Sequence, residues 1–405
     1  MDITIKKGAM RLKRILRGIR ITVLSAILVA LCGFLLAYVT EDEQPQNPIP
    51  EILPTEFITS YPDKYNVRPI GRTYYEGGVR YFSHSGSGLE FACRGEYATI
   101  KLIDDSQGRY LQAHKPRYAI YKDGFIVEEG VLTEGEKICY IALNGYYVDT
   151  VLKVVKLSEA QYSAMGVGEI TLYGKNKIKP TKEKELKIEF IGDSITCGYG
   201  IDEPKENAAF STATENFTKT YAYLTAEYLN ADYSAVCFSG YGVYSGYTSN
   251  GTLNDKDTVP LYYDKSCFLY GGRDIQWDFN EFQSDIVVIN LGTNDASYCA
   301  KSLSGRQEFT RKYADFIRQV RYYNPYAYII CILGDMNNAL YSCIEQAVGN
   351  YINSGFDHRV TSLTIGYKMG ENDIVINGHP GYMSNVYAAS ELSDKITELI
   401  YNDNF

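Results

Sequence analysis

Ser194 ends a hydrophobic run, Leu186 to Ile191, that stops abruptly at Gly192-Asp193-Ser194. The chain continues through the small, glycine-rich Ile195-Thr196-Cys197-Gly198-Tyr199-Gly200. An α/β fold presents a serine hydroxyl in this way, at the carboxyl end of a strand. Ester hydrolysis by a serine needs a base for the hydroxyl proton, donors for the developing oxyanion, and a group that orients the base. Three later segments carry residues of those types: Phe238-Ser239-Gly240-Tyr241-Gly242, Leu291-Gly292-Thr293-Asn294-Asp295 and Asn377-Gly378-His379-Pro380.

Each residue also has a plainer reading. A Gly-Asp-Ser turn caps a helix as readily as it bears a nucleophile, and Asp193 reads as a hydrogen-bonder of that turn. Of the four histidines, His379 sits in a Gly-His-Pro-Gly turn before the last helical stretch, a loop position suited to a general base. His358 lies in the polar run Asp357-His358-Arg359 and reads as surface. Gly240 offers a backbone N–H unobstructed by a side chain, or is a turn glycine. Asn294 offers a side-chain N–H, or caps a loop.

The elements that must position these residues divide the chain. Residues 57–178 carry many short strand-like runs with glycine turns, among them Tyr97–Ile103, a hairpin about Lys122-Asp123-Gly124, Ile138–Leu143, Thr150–Lys156 and Glu169–Tyr173. That pattern predicts a β-sandwich. After a basic connector, Lys175 to Lys184, strands alternate with helices. The strands are Leu186–Ile191, Tyr233–Phe238, Asp285–Leu291 and Tyr328–Leu333; the helices lie near Phe217–Leu229, Gln307–Tyr322, Asn338–Ile352 and Tyr382–Ile400. Alternation predicts a parallel sheet with helices on both faces. Ser194, Gly240 and Asn294 each follow a strand end, so one crevice can hold all three.

The amino-terminal segment poses a separate problem. Seven basic residues and one acid precede or flank an uncharged, mostly apolar run, 21–39, and Glu41-Asp42-Glu43 follow. At ~1.5 Å per residue this run spans a bilayer. Its flanks predict a single-pass anchor with a cytoplasmic amino terminus and an extracellular remainder. Residues 41–56, acidic and proline-rich, predict an extended spacer. The whole chain carries −9, so beyond the basic first forty residues the charge is −15. That balance argues against nucleic acid as a partner and suits a neutral substrate. Nine cysteines show no CxxC pair and no regular spacing, hence neither a zinc site nor a disulfide framework is signalled.

The four segments resemble the four blocks of the SGNH (GDSL-type) hydrolase superfamily, in the same order, along residues 186–400. More narrowly, Ile191–Gly200 and Val288–Asp295 look like carbohydrate esterase family 2. The resemblance implies a flavodoxin-like three-layer α/β/α hydrolase, 186–405, preceded by an all-β jelly roll, 57–178. It implies an acetyl esterase that removes O-acetyl groups from carbohydrate, with no metal or other cofactor. Carried over, Ser194 is the nucleophile and His379 the base, while Gly240, Asn294 and the Ser194 amide form the oxyanion hole. Trp277, the only tryptophan, is either a sugar platform or a core residue. The superfamily's usual aspartate before the histidine is missing, since Ile376 and Asn377 occupy those places. A Ser–His dyad with a backbone carbonyl behind the histidine fits that departure, with Asp373 as the alternative carboxylate. Rival readings are a lipase-like or acyl-transferring enzyme and a glycan-binding surface protein without turnover. Oligomeric state is not legible.

Overall fold

The computed structural model describes residues 56–203, 205–334, 336–355, 357–366 and 373–402. The predicted anchor, 21–39, and the spacer, apart from Glu56, lie outside the described residues. Among the described residues no helix is long and apolar enough to cross a membrane.

Five parallel strands carry the candidate residues: β1 (Leu186–Gly192), β2 (Ala231–Cys237), β3 (Ile286–Asn290), β4 (Tyr328–Gly334) and β5 (Val360–Ile365), in the spatial order β2-β1-β3-β4-β5. Alternate residues serve opposite faces. Ile191, Val287, Ile289 and Leu333 join one core, against the helices Leu303–Tyr323 and Tyr341–Gly355. Ile188, Phe190, Val288 and Ile332 join the other, against the helices Tyr221–Tyr228 and Tyr382–Asn402. A sheet covered on both faces needs mostly apolar strands, which is why β1 to β4 stand out in the sequence, with Glu189 and Asp232 as ion-paired exceptions. β5 does not, because its Val-Thr-Ser-Leu-Thr-Ile lies at the sheet edge and is only half buried. In this strand order the direction of winding reverses between β1 and β3, and ligands bind beyond the carboxyl ends there.

Ahead of this layer, ten strands form one hydrogen-bonded antiparallel sheet. The sequence predicts two strands at Ile138–Leu143 and Thr150–Lys156; the structure has one, Glu136–Lys156. Gly145 (φ 86°) pairs with Gly95 at a register shift, so the glycines bulge a continuous strand where a turn was expected. The predicted hairpin is present, with Asp123 (φ 51°) and Gly124 (φ 90°) forming the turn between Arg117–Lys122 and Phe125–Val131. The sheet encloses its own core, including Phe82, Phe91, Ile100 and Tyr118.

Buried charge ties the β-rich region to the parallel sheet. Arg72, fully buried, donates to Glu189 in the middle of β1 at 2.8 Å, to the Lys265 carbonyl at 2.9 Å and to the Tyr263 carbonyl. The Tyr263 hydroxyl donates to the other Glu189 oxygen at 2.6 Å. Arg68 bridges Glu90 and Asp232, at 2.8 and 2.7 Å. Removing one partner of such a pair leaves an uncompensated buried charge. Arg72→Leu is expected to lower unfolding free energy by about 3–5 kcal/mol, seen as a lower urea midpoint at unchanged slope. Arg72→Leu combined with Glu189→Leu should recover most of the loss. A single variant as stable as the parent would contradict the pairing.

Candidate active site

β1 runs out at Gly192, and Asp193 caps the short helix Ser194–Cys197, its carboxylate accepting the Ile195 N–H at 3.1 Å. The capping role and the placement of Ser194 are therefore one feature. As the first helical residue, Ser194 points its Oγ at His379 Nε2, 2.7 Å away. The histidine arrives from the other end of the chain. Asn377 (φ 54°) and Gly378 (φ 74°) take left-handed backbone in succession, and His379-Pro380 pairs back against Ile374-Val375.

His379 Nδ1 lies 3.0 Å from the Ile376 carbonyl oxygen. A carbonyl can only accept, so Nδ1 carries the proton and Nε2 presents its lone pair to the serine hydroxyl. Asp373, the alternative carboxylate, is engaged elsewhere: it accepts from the Met383 N–H at 3.3 Å and from the Ser384 N–H, at the start of the last helix. Two further contacts fix the imidazole. Tyr199 stacks on it at 4.6 Å between ring centroids, and its hydroxyl accepts from Asn377 Nδ2 at 3.3 Å. Gly200 has no Cβ because one would sit 1.7 Å from Ile376 Cγ2. Burial pushes the His379 pKa down to about 4, against the upward pull of the Ile376 carbonyl. At neutral pH the ring is the free base.

Asn294 follows β3. Its Nδ2 donates to Asp193 Oδ2 at 3.2 Å and to the Tyr241 carbonyl at 2.9 Å. Both amide hydrogens are thus directed at protein acceptors in this state. The neighbouring Asp295 is buried and gathers the N–H groups of Val243, Tyr244 and Ser245 at 2.7–3.1 Å, locking the loop after β2. Burial raises Asp295 to about 6 despite those donors, and raises Asp193 to about 7, with Asp295 and Glu159 adding to the effect. Gly240, in that same loop, has left-handed backbone (φ 82°) and open space where a Cβ would project. Its neighbour Ser239 donates its N–H to Glu159 Oε2 at 2.7 Å, so the segment of the β-rich region that follows the strand Glu136–Lys156 steadies the loop.

Glu159, Cys197 and Glu215 bring their ligand atoms within 4.8 Å of one another, all buried. They are the group among the described residues with a metal-like donor set. Lys156, equally buried and donating to the Ser158 and Glu159 carbonyls at 2.6 and 2.9 Å, already supplies positive charge there. Burial lowers its pKa to about 8, while the two glutamates pull it upward.

The structure therefore brings Ser194, His379 and Asn294 together, with the Gly240 loop held to Asn294 through Tyr241. It does not bring Trp277 to them. Trp277 follows the strand Arg273–Gln276 and lines a groove with Lys187 and Asp232, at the amino ends of β1 and β2. His358 is exposed. Sequence reasoning missed Tyr199, Gly200, Asp295 and Glu159 as supports. The Gly-Tyr-Gly after the serine and the aspartate after Asn294 were available signals; for Glu159 there was none, since its role depends on burial between two sheets.

The fold is that of the SGNH hydrolases, with a β-rich region before it. Residues 190–354 match the model of the GDSL-like Lipase/Acylhydrolase family. The chain is 32% identical over 245 residues to a cellulase/esterase (CelE) of Acetivibrio thermocellus, covering 59% of this chain and 28% of that protein. It thus spans less than a third of that relative's length. Among solved structures, an acetyl xylan esterase from the rumen bacterium Butyrivibrio proteoclasticus superposes with a TM-score of 0.76 at 21% identity, over 85% of this chain and 98% of the other. A family two carbohydrate esterase from Clostridium thermocellum, in complex with cellohexaose, gives 0.71 at 25% identity, over 82% and 99%.

The depressed His379 pKa has a measurable consequence. Between about 6.5 and about 4 the unfolded chain binds this proton and the folded chain does not. Stability therefore falls as pH is lowered through that window. The imidazole resonances of His379 are expected to titrate near 4; a midpoint near 6.5 would contradict the buried, neutral ring.

Proposed function

We propose that this chain is a serine esterase that removes O-acetyl groups from carbohydrate, using Ser194 and His379 without a triad carboxylate. The observation that carries the reading is the 2.7 Å contact between Ser194 Oγ and a histidine nitrogen whose partner nitrogen is held by a carbonyl. The names borne by the relatives, acetyl xylan esterase and family two carbohydrate esterase, support the acetyl ester and the sugar.

In the proposed reaction Ser194 Oγ attacks the acetyl carbonyl carbon as His379 Nε2 takes its proton. The imidazolium keeps its Nδ1–H on the Ile376 carbonyl. Negative charge on the former carbonyl oxygen is met by the N–H groups of Ser194 and Gly240. Asn294 joins them by sharing the N–H it directs at Asp193. His379 then returns its proton to the departing sugar oxygen, leaving acetyl-Ser194. Water, deprotonated by the same nitrogen, attacks the acyl carbon; the bond to Ser194 Oγ breaks as His379 returns that proton to it, and acetate is released. The reading extends to location: residues 21–39 hold the enzyme at a membrane with its catalytic part outside, on the strength of the basic flank before that span.

The test is acetate release from acetylated xylan and mannan oligosaccharides, followed by mass spectrometry. Stepwise loss of acetyl groups is expected from wild type, with Ser194→Ala reduced to background. No loss from a correctly folded wild type sinks the proposal. Asn294→Ala is expected to lower kcat by about 10²–10³-fold, the worth of one oxyanion donor; a loss below threefold would remove it from the oxyanion hole. Because His379 must be neutral to accept a proton, kcat/KM should hold down to about pH 4 and fall below it. An acid limb near 6.5 would contradict this.

A further inference from the structure

Trp277 lines a groove of about 730 Å³ between the β-rich region and the amino ends of β1 and β2. Ser194 lies beyond the other end of β1, seven residues and roughly 20 Å along the strand from the groove. We propose that this groove is a second carbohydrate site, which binds a neutral oligosaccharide and does not act on it.

Aromatic faces, polar side chains and charge balance carry the proposal. Trp277 is half-buried, and the fully buried Arg72 lies 5.6 Å from its ring centroid on the interior side. Tyr75 is backed in the same manner by Arg80, at 5.4 Å. A cation held against a ring fixes the ring's orientation, and both rings line the groove. Tyr65, 78% exposed, adds a third apolar surface. Pyranose rings present C–H faces to such aromatics and hydroxyls to planar charged groups. The Arg68–Glu90–Asp232 network in the groove wall supplies the latter, already ordered by its own ion pairs. The lining has as many acidic as basic side chains. Such a balance favours neither an anionic nor a cationic ligand. The site requires no nucleophile, so it stands or falls independently of Ser194.

Because Trp277 is the only tryptophan, emission excited at the red edge of the indole absorption, where tyrosine does not absorb, reports on this groove. The probes are unacetylated, β-linked hexasaccharides of glucose, xylose and mannose. At least one is expected to shift Trp277 emission saturably, with the same midpoint in Ser194→Ala. Tyr75→Ala should weaken that binding by about tenfold, the scale of one lost aromatic contact, and the more exposed Tyr65→Ala by less. Hydrolysis of nitrophenyl acetate, if wild type shows it, should be unchanged in Tyr75→Ala, and circular dichroism should confirm that both variants are folded. No emission change with any probe to millimolar concentration would overturn the proposal. So would a response that survives Tyr75→Ala but is lost in Tyr199→Ala, which would place the sugar at the Ser194 crevice.

Discussion

The hydrogen bond from His379 Nδ1–H to the Ile376 carbonyl is the contact on which the rest of the candidate site depends. It decides which imidazole nitrogen keeps its lone pair, and so whether the Ser194 hydroxyl meets an acceptor. In a triad a carboxylate performs this task and also stabilises the imidazolium. Here the acceptor is neutral, and it is three residues away in the same turn. Such a short loop holds its geometry only if it cannot relax. The left-handed pair Asn377-Gly378, the Tyr199 ring against the imidazole, and the absence of a side chain at Gly200 each close off one direction of relaxation. Asp373 contributes from behind, by fixing the start of the last helix.

A second set of buried carboxylates governs the opposite side of the crevice. Asp193 caps the nucleophile's helix and accepts from Asn294; Asp295 gathers three N–H groups of the Gly240 loop; Glu159 takes the Ser239 N–H. Donors that are fixed before the reaction cost no reorganisation when charge develops. Each of these carboxyl groups is buried, and burial raises its proton affinity. The loop is thus ordered by groups whose charge is itself expensive to maintain, and Lys156 offsets part of that charge near Glu159. The β-rich region supplies both Lys156 and Glu159. It is a structural wall of the crevice as well as a neighbour of it.

Much of this was legible in the sequence. Strands covered on both faces are mostly apolar, so β1 to β4 announced themselves despite Glu189 and Asp232, and the residues that follow them had to meet at one end of the sheet. The edge strand β5 was hidden by its Thr-Ser-Thr content, and the long strand Glu136–Lys156 by a glycine that bulges where glycine commonly turns. Ser194, Asn294 and His379 could be nominated because each follows an element end. Of their supports, Tyr199 and Gly200 left a signal in the Gly-Tyr-Gly after the serine, whereas Glu159 acts through burial that no local pattern encodes. Trp277 was nominated for its residue type alone, and chain topology carries it to the far end of the sheet.

The claim that a carbonyl-held histidine activates Ser194 is tested most directly by the rate at which an acetyl group appears on Ser194 after rapid mixing with an acetyl ester. The reaction is quenched in acid and the peptide mapped by mass, for wild type and for Asp373→Asn. The account predicts acetyl-Ser194 in both, formed at rates within a few-fold of each other, because Asp373 holds a helix end rather than the imidazole and asparagine keeps one oxygen to accept an N–H there. A drop approaching 10⁴-fold in Asp373→Asn, the scale of losing a triad carboxylate, would contradict it. So would an acetyl group carried by any residue other than Ser194.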